Sequence, residues 1–149
     1  MWNEQRQEAI SYGNLLHELL ANIKHRGQQE NVIEQALEEG LINLEQVAEV
    51  TGHLNNVLAH PDLQELFIQE NTIYNERPIL ASDGNIHIPD RIEINAAGKL
   101  TIIDYKTGIP QENHEYQLDR YTAILKEMEL ETSERKLVYI NQEVTVLTV

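Results

Sequence analysis

The chain has 149 residues, a length that suits one domain, since folding at this size buries about 70% of the surface that the unfolded chain exposes. Its 11 basic and 25 acidic residues give a net charge of -14, the opposite of the basic surface expected of a protein that holds nucleic acid unaided. Cysteine, long apolar runs and a basic-plus-apolar leader are absent, which excludes disulfides and iron–sulfur clusters, predicts no membrane span or secretory signal, and fits a reducing cytoplasm.

The first part of the chain has the apolar periodicity of helices. A stripe of leucine and isoleucine at three- and four-residue spacing predicts a helix over residues 11 to 26. Two more helices are predicted at residues 29 to 38 and 43 to 58, and a short helix is expected after Pro61. These patterns together predict a helical region over about residues 1 to 66.

From Phe67 the apolar period changes towards two, which is typical of strands. Four strands are expected in the middle of the chain, at residues 67 to 74, 77 to 81, 86 to 95 and 99 to 106. A helix over residues 113 to 130 comes next, and a final hairpin is predicted from strands 136 to 140 and 143 to 148. This order predicts an α/β fold in one domain, residues 1 to 149, whose sheet occupies about residues 67 to 149.

A turn at residues 95 to 98 would bring two acidic residues together. It pairs Ile92 with Ile102 in an apolar cross-strand contact, and the same register places Asp90 opposite Asp104. Carboxylates about 5 Å apart repel each other unless a cation bridges them or one of them is protonated. A divalent metal ion is the simpler explanation.

Alternation along the last predicted strand adds a cation to this pair. Asp104 and Lys106 share one face of the strand, and Tyr105 points to the other. Ile88 and Ile92 share the face of Asp90 and predict that its side chain points inward, where an acid needs a partner. Two carboxylates beside an ammonium form a phosphate-hydrolysing arrangement, although the lysine could be a salt-bridge partner only.

Three residues on the helices have weaker signals. His17 shares a helical face with Gly13 and points towards the core, where a lone histidine is more often a hydrogen-bonded core residue than a ligand. Gln117 and Tyr121 are one turn apart on the helix after the strands and can both reach the edge of the sheet. Spacing alone favours ordinary packing for that pair.

Four segments together resemble the motifs of the PD-(D/E)XK nuclease superfamily, most closely its RecB-like nuclease domains from bacterial helicase-nucleases: residues 13 to 20, 88 to 92, 103 to 108 and 116 to 121. The resemblance implies a restriction-endonuclease-like mixed β-sheet flanked by α-helices, with an N-terminal helical region. It implies a metal-dependent DNA nuclease, specifically an exonuclease, that processes DNA ends in recombination and repair. It also implies a helicase domain in the same chain or complex.

The resemblance assigns roles to the candidate residues. A Mg²⁺ or Mn²⁺ ion is expected to be held by three side chains and one backbone carbonyl, those of His17, Asp90, Asp104 and Tyr105. Lys106 would orient the attacking water or stabilise negative charge, with Gln117 and Tyr121 in support. The predicted catalytic residues are therefore Asp90, Asp104, Lys106, Gln117 and Tyr121.

Two other functions remain open at this stage. The chain could be a non-catalytic, nuclease-derived module that binds a helicase partner or a DNA end, which its acidity favours. It could also hydrolyse small phosphorylated substrates, although no glycine-rich phosphate cradle is visible. No P-loop sequence is present, so ATP hydrolysis by that route is not expected.

Overall fold

The structure is a computed structural model that describes the backbone of residues 2–149 and the side chains of residue 4 and residues 11–149. The α-helices in this part of the chain are α1 (Trp2–Ala21), α2 (Gln29–Glu38), α3 (Val47–Ala59) and α4 (Glu112–Glu127). Short 3-10 turns precede and follow α3, at Leu44–Gln46 and Pro61–Leu63. None of the described helices is both long enough and apolar enough to cross a membrane.

The strands form one large and one small sheet. They are β1 (Thr72–Asn75), β2 (Ile79–Leu80), β3 (Ile86–His87), β4 (Arg91–Ile94), β5 (Leu100–Lys106), β6 (Thr132–Ile140) and β7 (Val144–Thr148). The large sheet has the order β1-β4-β5-β6-β7, while β2 and β3 pair only with each other. Within the large sheet, β5 and β6 run parallel and the other neighbours are antiparallel. The predicted α/β fold with a mixed sheet is confirmed.

Helices cover both faces of the large sheet because alternate residues of its central strands are apolar on both sides. Ile103 and Tyr105 of β5 pack under the helical region of α1, α2 and α3. Ile102 points to the other face, where it packs against Leu118 and Tyr121 of α4. Each fully buried side chain of this kind contributes about 1.5–3 kcal/mol. The two layers hold β5 rigidly, so its last residues have fixed positions.

A buried ion pair joins the helical region to the sheet. The side chains of Arg91 and Glu93 are 0% and 1% exposed, and their Nε and Oε2 atoms lie 2.8 Å apart. Arg91 also donates to the carbonyls of Ile23 and Lys24, which directly follow α1. Its guanidinium stacks on the ring of Phe67 at 3.8 Å from the ring centroid. Arg91 therefore fixes the end of α1 against β4.

Several boundaries differ from the sequence expectation. The predicted strand at residues 67 to 74 begins only at Thr72, because Phe67 adopts a positive φ of 56° and donates its N–H to the buried Glu93 carboxylate. The predicted strand at residues 86 to 95 is split into β3 and β4 around Pro89, which has no N–H for a strand ladder. The end of α1 lies at Ala21, short of the predicted residue 26.

Candidate active site

The two acids lie where β4 begins and β5 ends. Arg91 pairs with Ile103 in the β4–β5 ladder, so the next position outward brings Asp90 beside Asp104. The predicted pairing of Ile92 with Ile102 is confirmed. The Tyr105 N–H donates to Asp90 Oδ2 at 2.8 Å, which fixes the carboxylate over the end of β5.

The two acids differ in how readily they ionise. Burial, followed by the neighbouring Asp90, raises the pKa of Asp104 to about 7. Burial opposes ionisation of Asp90 too, but hydrogen bonds from His17 and Asp104 hold its pKa below the ordinary value. Asp90 is therefore the more acidic member of the pair, and Asp104 gives up its proton only near neutral pH.

His17 reaches this pair from α1. Its Nε2 atom lies 3.2 Å from Asp90 Oδ2, and its Nδ1 atom donates to the Gly13 carbonyl at 2.9 Å. The hydrogen bond to Asp90 is the largest cause of a raised His17 pKa of about 9, and the Tyr105 carbonyl contributes as a further acceptor. The structure thus brings together all four groups that the sequence proposed as metal ligands.

Gly13 explains how α1 comes so close to the sheet. A Cβ atom at this position would lie 3.2 Å from Thr107 Oγ1, directly beyond the end of β5. A larger side chain would require either Thr107 or α1, which carries His17, to shift. The absence of a side chain at Gly13 therefore lets His17, one turn later, reach the acids.

Lys106 connects the acids to α4. Its Nζ atom lies 2.9 Å from Asp104 Oδ2 and donates to Gln117 Oε1 at 2.8 Å. The Gln117 amide donates to the Tyr121 hydroxyl at 2.8 Å, and that hydroxyl donates to the Ile88 carbonyl at 3.3 Å. The helix residues Gln117 and Tyr121, for which spacing alone favoured packing, form a continuous hydrogen-bonded chain with the lysine.

Comparison with known proteins identifies the family of this chain. Residues 2–147 match the sequence profile described as PD-(D/E)XK nuclease superfamily. The chain belongs to this superfamily. No curated protein sequence matches it. Among solved structures, the crystal structure of SSO0001 is similar at 19% identity and a TM-score of 0.39, with 100% of this chain and 79% of that chain covered.

Membership of the PD-(D/E)XK superfamily implies nuclease or phosphodiesterase activity, and nucleases of this superfamily usually use a divalent metal such as Mg²⁺. The described residues contain no ready-formed cluster of three His, Asp or Glu side chains that could hold a metal ion, and His17 and Lys106 lie on the acids as ion-pair partners. Asp104 Oδ2 is buried and has no hydrogen bond among the described residues, although Lys106 Nζ lies within ion-pair distance. Two carboxylates, an imidazole and a carbonyl are suitable donors for Mg²⁺ or Mn²⁺. The residues present therefore fit the metal.

Two features of the site differ from expectation. Ile88 is 50% exposed, because the break at Pro89 ends the strand alternation that predicted an inward side chain. Asp90 is inward all the same, at 16% exposure. Arg91 and Glu93 were also not predicted to pair with each other, although opposite charges two residues apart on a strand share a face. The two-residue spacing of these opposite charges is the sequence signal that could have predicted the buried ion pair.

Proposed function

We propose that this chain is a RecB-like, Mg²⁺- or Mn²⁺-dependent deoxyribonuclease that acts as an exonuclease on DNA ends during recombination and repair. Superfamily membership over residues 2–147 supports the nuclease activity. The RecB-like assignment, with residues 1 to 149 as one nuclease domain of a larger cytoplasmic helicase-nuclease, rests on the four motif segments in their order along the chain. Its substrate is DNA, and its partner is a helicase domain.

The observation that carries the proposal is the arrangement at the end of β5. A buried carboxyl whose pKa is raised to about 7 by burial and by its acidic neighbour lies within 3 Å of an ammonium: Asp104 Oδ2 to Lys106 Nζ is 2.9 Å. Burying two neighbouring acids costs folding free energy, so their presence points to a functional role. Perturbed titrating groups cluster at functional sites for that reason.

Each residue has a stated part in phosphodiester hydrolysis. A bound Mg²⁺ or Mn²⁺ ion would supply Lewis acidity, lowering the pKa of water and neutralising charge on the scissile phosphate. His17, Asp90, Asp104 and the Tyr105 carbonyl would hold that ion.

Lys106 would donate to the attacking water or to a phosphoryl oxygen, in a position fixed by Asp104 and Gln117. Water would add to phosphorus and give up a proton to solvent, while the bond to the leaving sugar oxygen breaks and that oxygen takes a proton from solvent. Tyr121 would keep Gln117 in place through the hydrogen bond that it accepts.

The test is cleavage of end-labelled linear single- and double-stranded DNA in Mg²⁺, Mn²⁺ or chelator. Lys106→Ala should lose the metal-dependent cleavage, and Lys99→Ala is the matched control, because Lys99 is an exposed lysine just before the other end of the same strand. Circular dichroism should show both variants folded. Full metal-dependent cleavage by Lys106→Ala would rule out this mechanism.

A second candidate is a non-catalytic module that binds a helicase or a DNA end. The net charge of -14 favours the form that binds a helicase, because an acidic surface repels the DNA backbone. Calorimetric titration with Mn²⁺ separates the two functions, since a module without activity has no need to bind the ion. Binding lost in Asp104→Asn would favour the nuclease, and the absence of binding to the native chain would favour the module.

A further inference from the structure

A groove opens beside the candidate active site, between β3 and the first half of α4. Its volume is about 480 Å³, and the side chains that form its walls include His87, Lys106, Asn113, Tyr116, Gln117 and Arg120. Tyr121 lies at its buried side, where its ring makes an edge-on contact with His87 at 6.4 Å between centroids. Lys106 belongs both to this groove and to the acid cluster, so the two are continuous.

The charge of this α4 groove is opposite to that of the chain. Two cations, Lys106 and Arg120, line it, and no carboxylate of a described residue does. In a chain with 25 acidic and 11 basic residues, an acid-free lining with two cations is a local exception. Asp83 lies near the mouth, where its pKa is lowered first by hydrogen bonds from Asn85 and also by His87 and Arg120. The groove is therefore the part of this surface that suits a phosphate backbone.

An exposed aromatic side chain lies on the same wall. Tyr116 is 70% exposed, although it sits one residue before Gln117 of the hydrogen-bonded chain. A cationic groove with an exposed ring is the combination by which proteins bind single strands, since every base has a flat face that can stack. In a duplex the internal bases are already paired and stacked and cannot reach such a ring.

We propose that the α4 groove holds one unpaired DNA strand next to the scissile phosphate, with Tyr116 stacking on a base and Arg120 contacting a phosphate. This proposal rests on the nuclease function proposed above and gives roles to two residues of the 116 to 121 segment that had none, Tyr116 and Arg120. It makes the chain selective for single strands. Asp104 and Asp90 are 3% and 16% exposed, so a phosphate must enter a recess to reach them, which a flexible strand does more readily than a duplex.

The experiment measures binding apart from cleavage. Fluorescence anisotropy would follow a labelled oligothymidylate of about 15 nucleotides, a length within the span of known single-strand sites, and a duplex of equal length, both in chelator. The variants are Tyr116→Ala, Tyr116→Phe and Arg120→Ala. Lys126→Ala is the matched control, because Lys126 is an exposed cation in the last turn of the same helix, outside the groove.

The expected result has three parts. The native chain binds the single strand more tightly than the duplex. Tyr116→Ala weakens that binding about tenfold, a typical loss for one stacked base, while Tyr116→Phe retains it because the ring is kept. Arg120→Ala lowers the slope of log affinity against log salt by about 0.7, the value for one phosphate contact on a single strand, and Lys126→Ala leaves it unchanged.

Equal or tighter duplex binding, no binding to either DNA, or Tyr116→Ala and Arg120→Ala variants that behave like Lys126→Ala would each overturn the groove proposal. Cleavage in Mn²⁺ is scored separately. A chain that shows the groove effects but cuts nothing would refute the nuclease function alone. A chain that cuts DNA in a metal-dependent manner without the groove effects would refute the groove alone.

Discussion

Replacing Glu93 by glutamine should be among the most destabilising single changes in this chain. The carboxylate accepts hydrogen bonds from the Phe67 N–H, the Asn71 amide and Arg91 Nε, all at 2.8–3.0 Å. Every one of these partners is a donor, so the glutamine NH₂ group must point at another donor. The change also leaves the Arg91 charge buried without its counter-ion, since Arg91 is 0% exposed.

The cost follows from that burial. Removing one partner of a buried ion pair typically destabilises a fold by about 3–5 kcal/mol. A domain of this kind has a free energy of unfolding of about 5–15 kcal/mol, so Glu93→Gln should remove a large fraction of it. Urea denaturation with linear extrapolation measures the loss. The matched control is Glu70→Gln, an exposed position where the change should stay within about 0.5 kcal/mol.

A double variant tests the cause. Adding Arg91→Met to Glu93→Gln removes the unpaired cation, so the pair should cost less than the sum of the single changes. Recovery should be incomplete, because the Lys24 carbonyl loses its donor, at about 1–3 kcal/mol for a buried group left unsatisfied, and the Ile23 carbonyl keeps only its hydrogen bond from the Asn75 amide. A Glu93→Gln loss below about 1 kcal/mol, or strictly additive costs, would refute the reasoning.

Three further predictions concern the site. First, the pKa of Asp104 is raised to about 7, so the folded chain holds a proton on this carboxyl that the unfolded chain would lose. The stabilisation that results is fully present below the ordinary pKa of an aspartate and is lost as the pH rises through 7. Thermal unfolding in chelator should therefore show that the stability of the native chain falls more between pH 6 and pH 8 than the stability of the Asp104→Asn variant does. Parallel curves of stability against pH for the two proteins would contradict this. Second, Mn²⁺ competes with the protons on His17 and Asp104, whose pKa values are raised to about 9 and about 7, so calorimetry should show affinity rising over that pH range, with proton release on binding. A pH-independent affinity would exclude these two ligands. Third, Gly13→Val should cost about 1–3 kcal/mol by overpacking against Thr107 and weaken Mn²⁺ binding, and Thr107→Ala should restore part of both; denaturation and titration of the single and double variants decide it.

Local rules in the sequence were enough to place the acids of the site. The register of β4 and β5 follows from one short turn and a two-residue apolar period, so Asp90 and Asp104 could be placed side by side in advance. The same alternation places Lys106 beside Asp104, and the structure has them in contact. Whether these residues act as catalytic groups and ligands stays a prediction.

Contacts between distant parts of the chain were beyond the sequence. Phe67 looks like the first residue of a strand, but its N–H donates to Glu93 on β4, a contact that no local pattern encodes. The hydrogen bond of His17 to Asp90 likewise depends on how α1 docks, and Arg91 sets that docking through the carbonyls that follow α1. Periodicity predicts which face of a helix or strand is buried, but it does not predict which other element packs against that face.

The distance along the chain between the parts of the candidate site has a consequence for how the protein is made. His17 lies on the first helix, whereas β5 must pair with β6, which follows α4, before Asp104 has its final position. Contacts of such long sequence separation form late in folding, because the chain must first close large loops. A nascent or partly folded chain would lack the assembled acid, histidine and lysine cluster. The nuclease activity implied by the superfamily would therefore arise only with the completed fold.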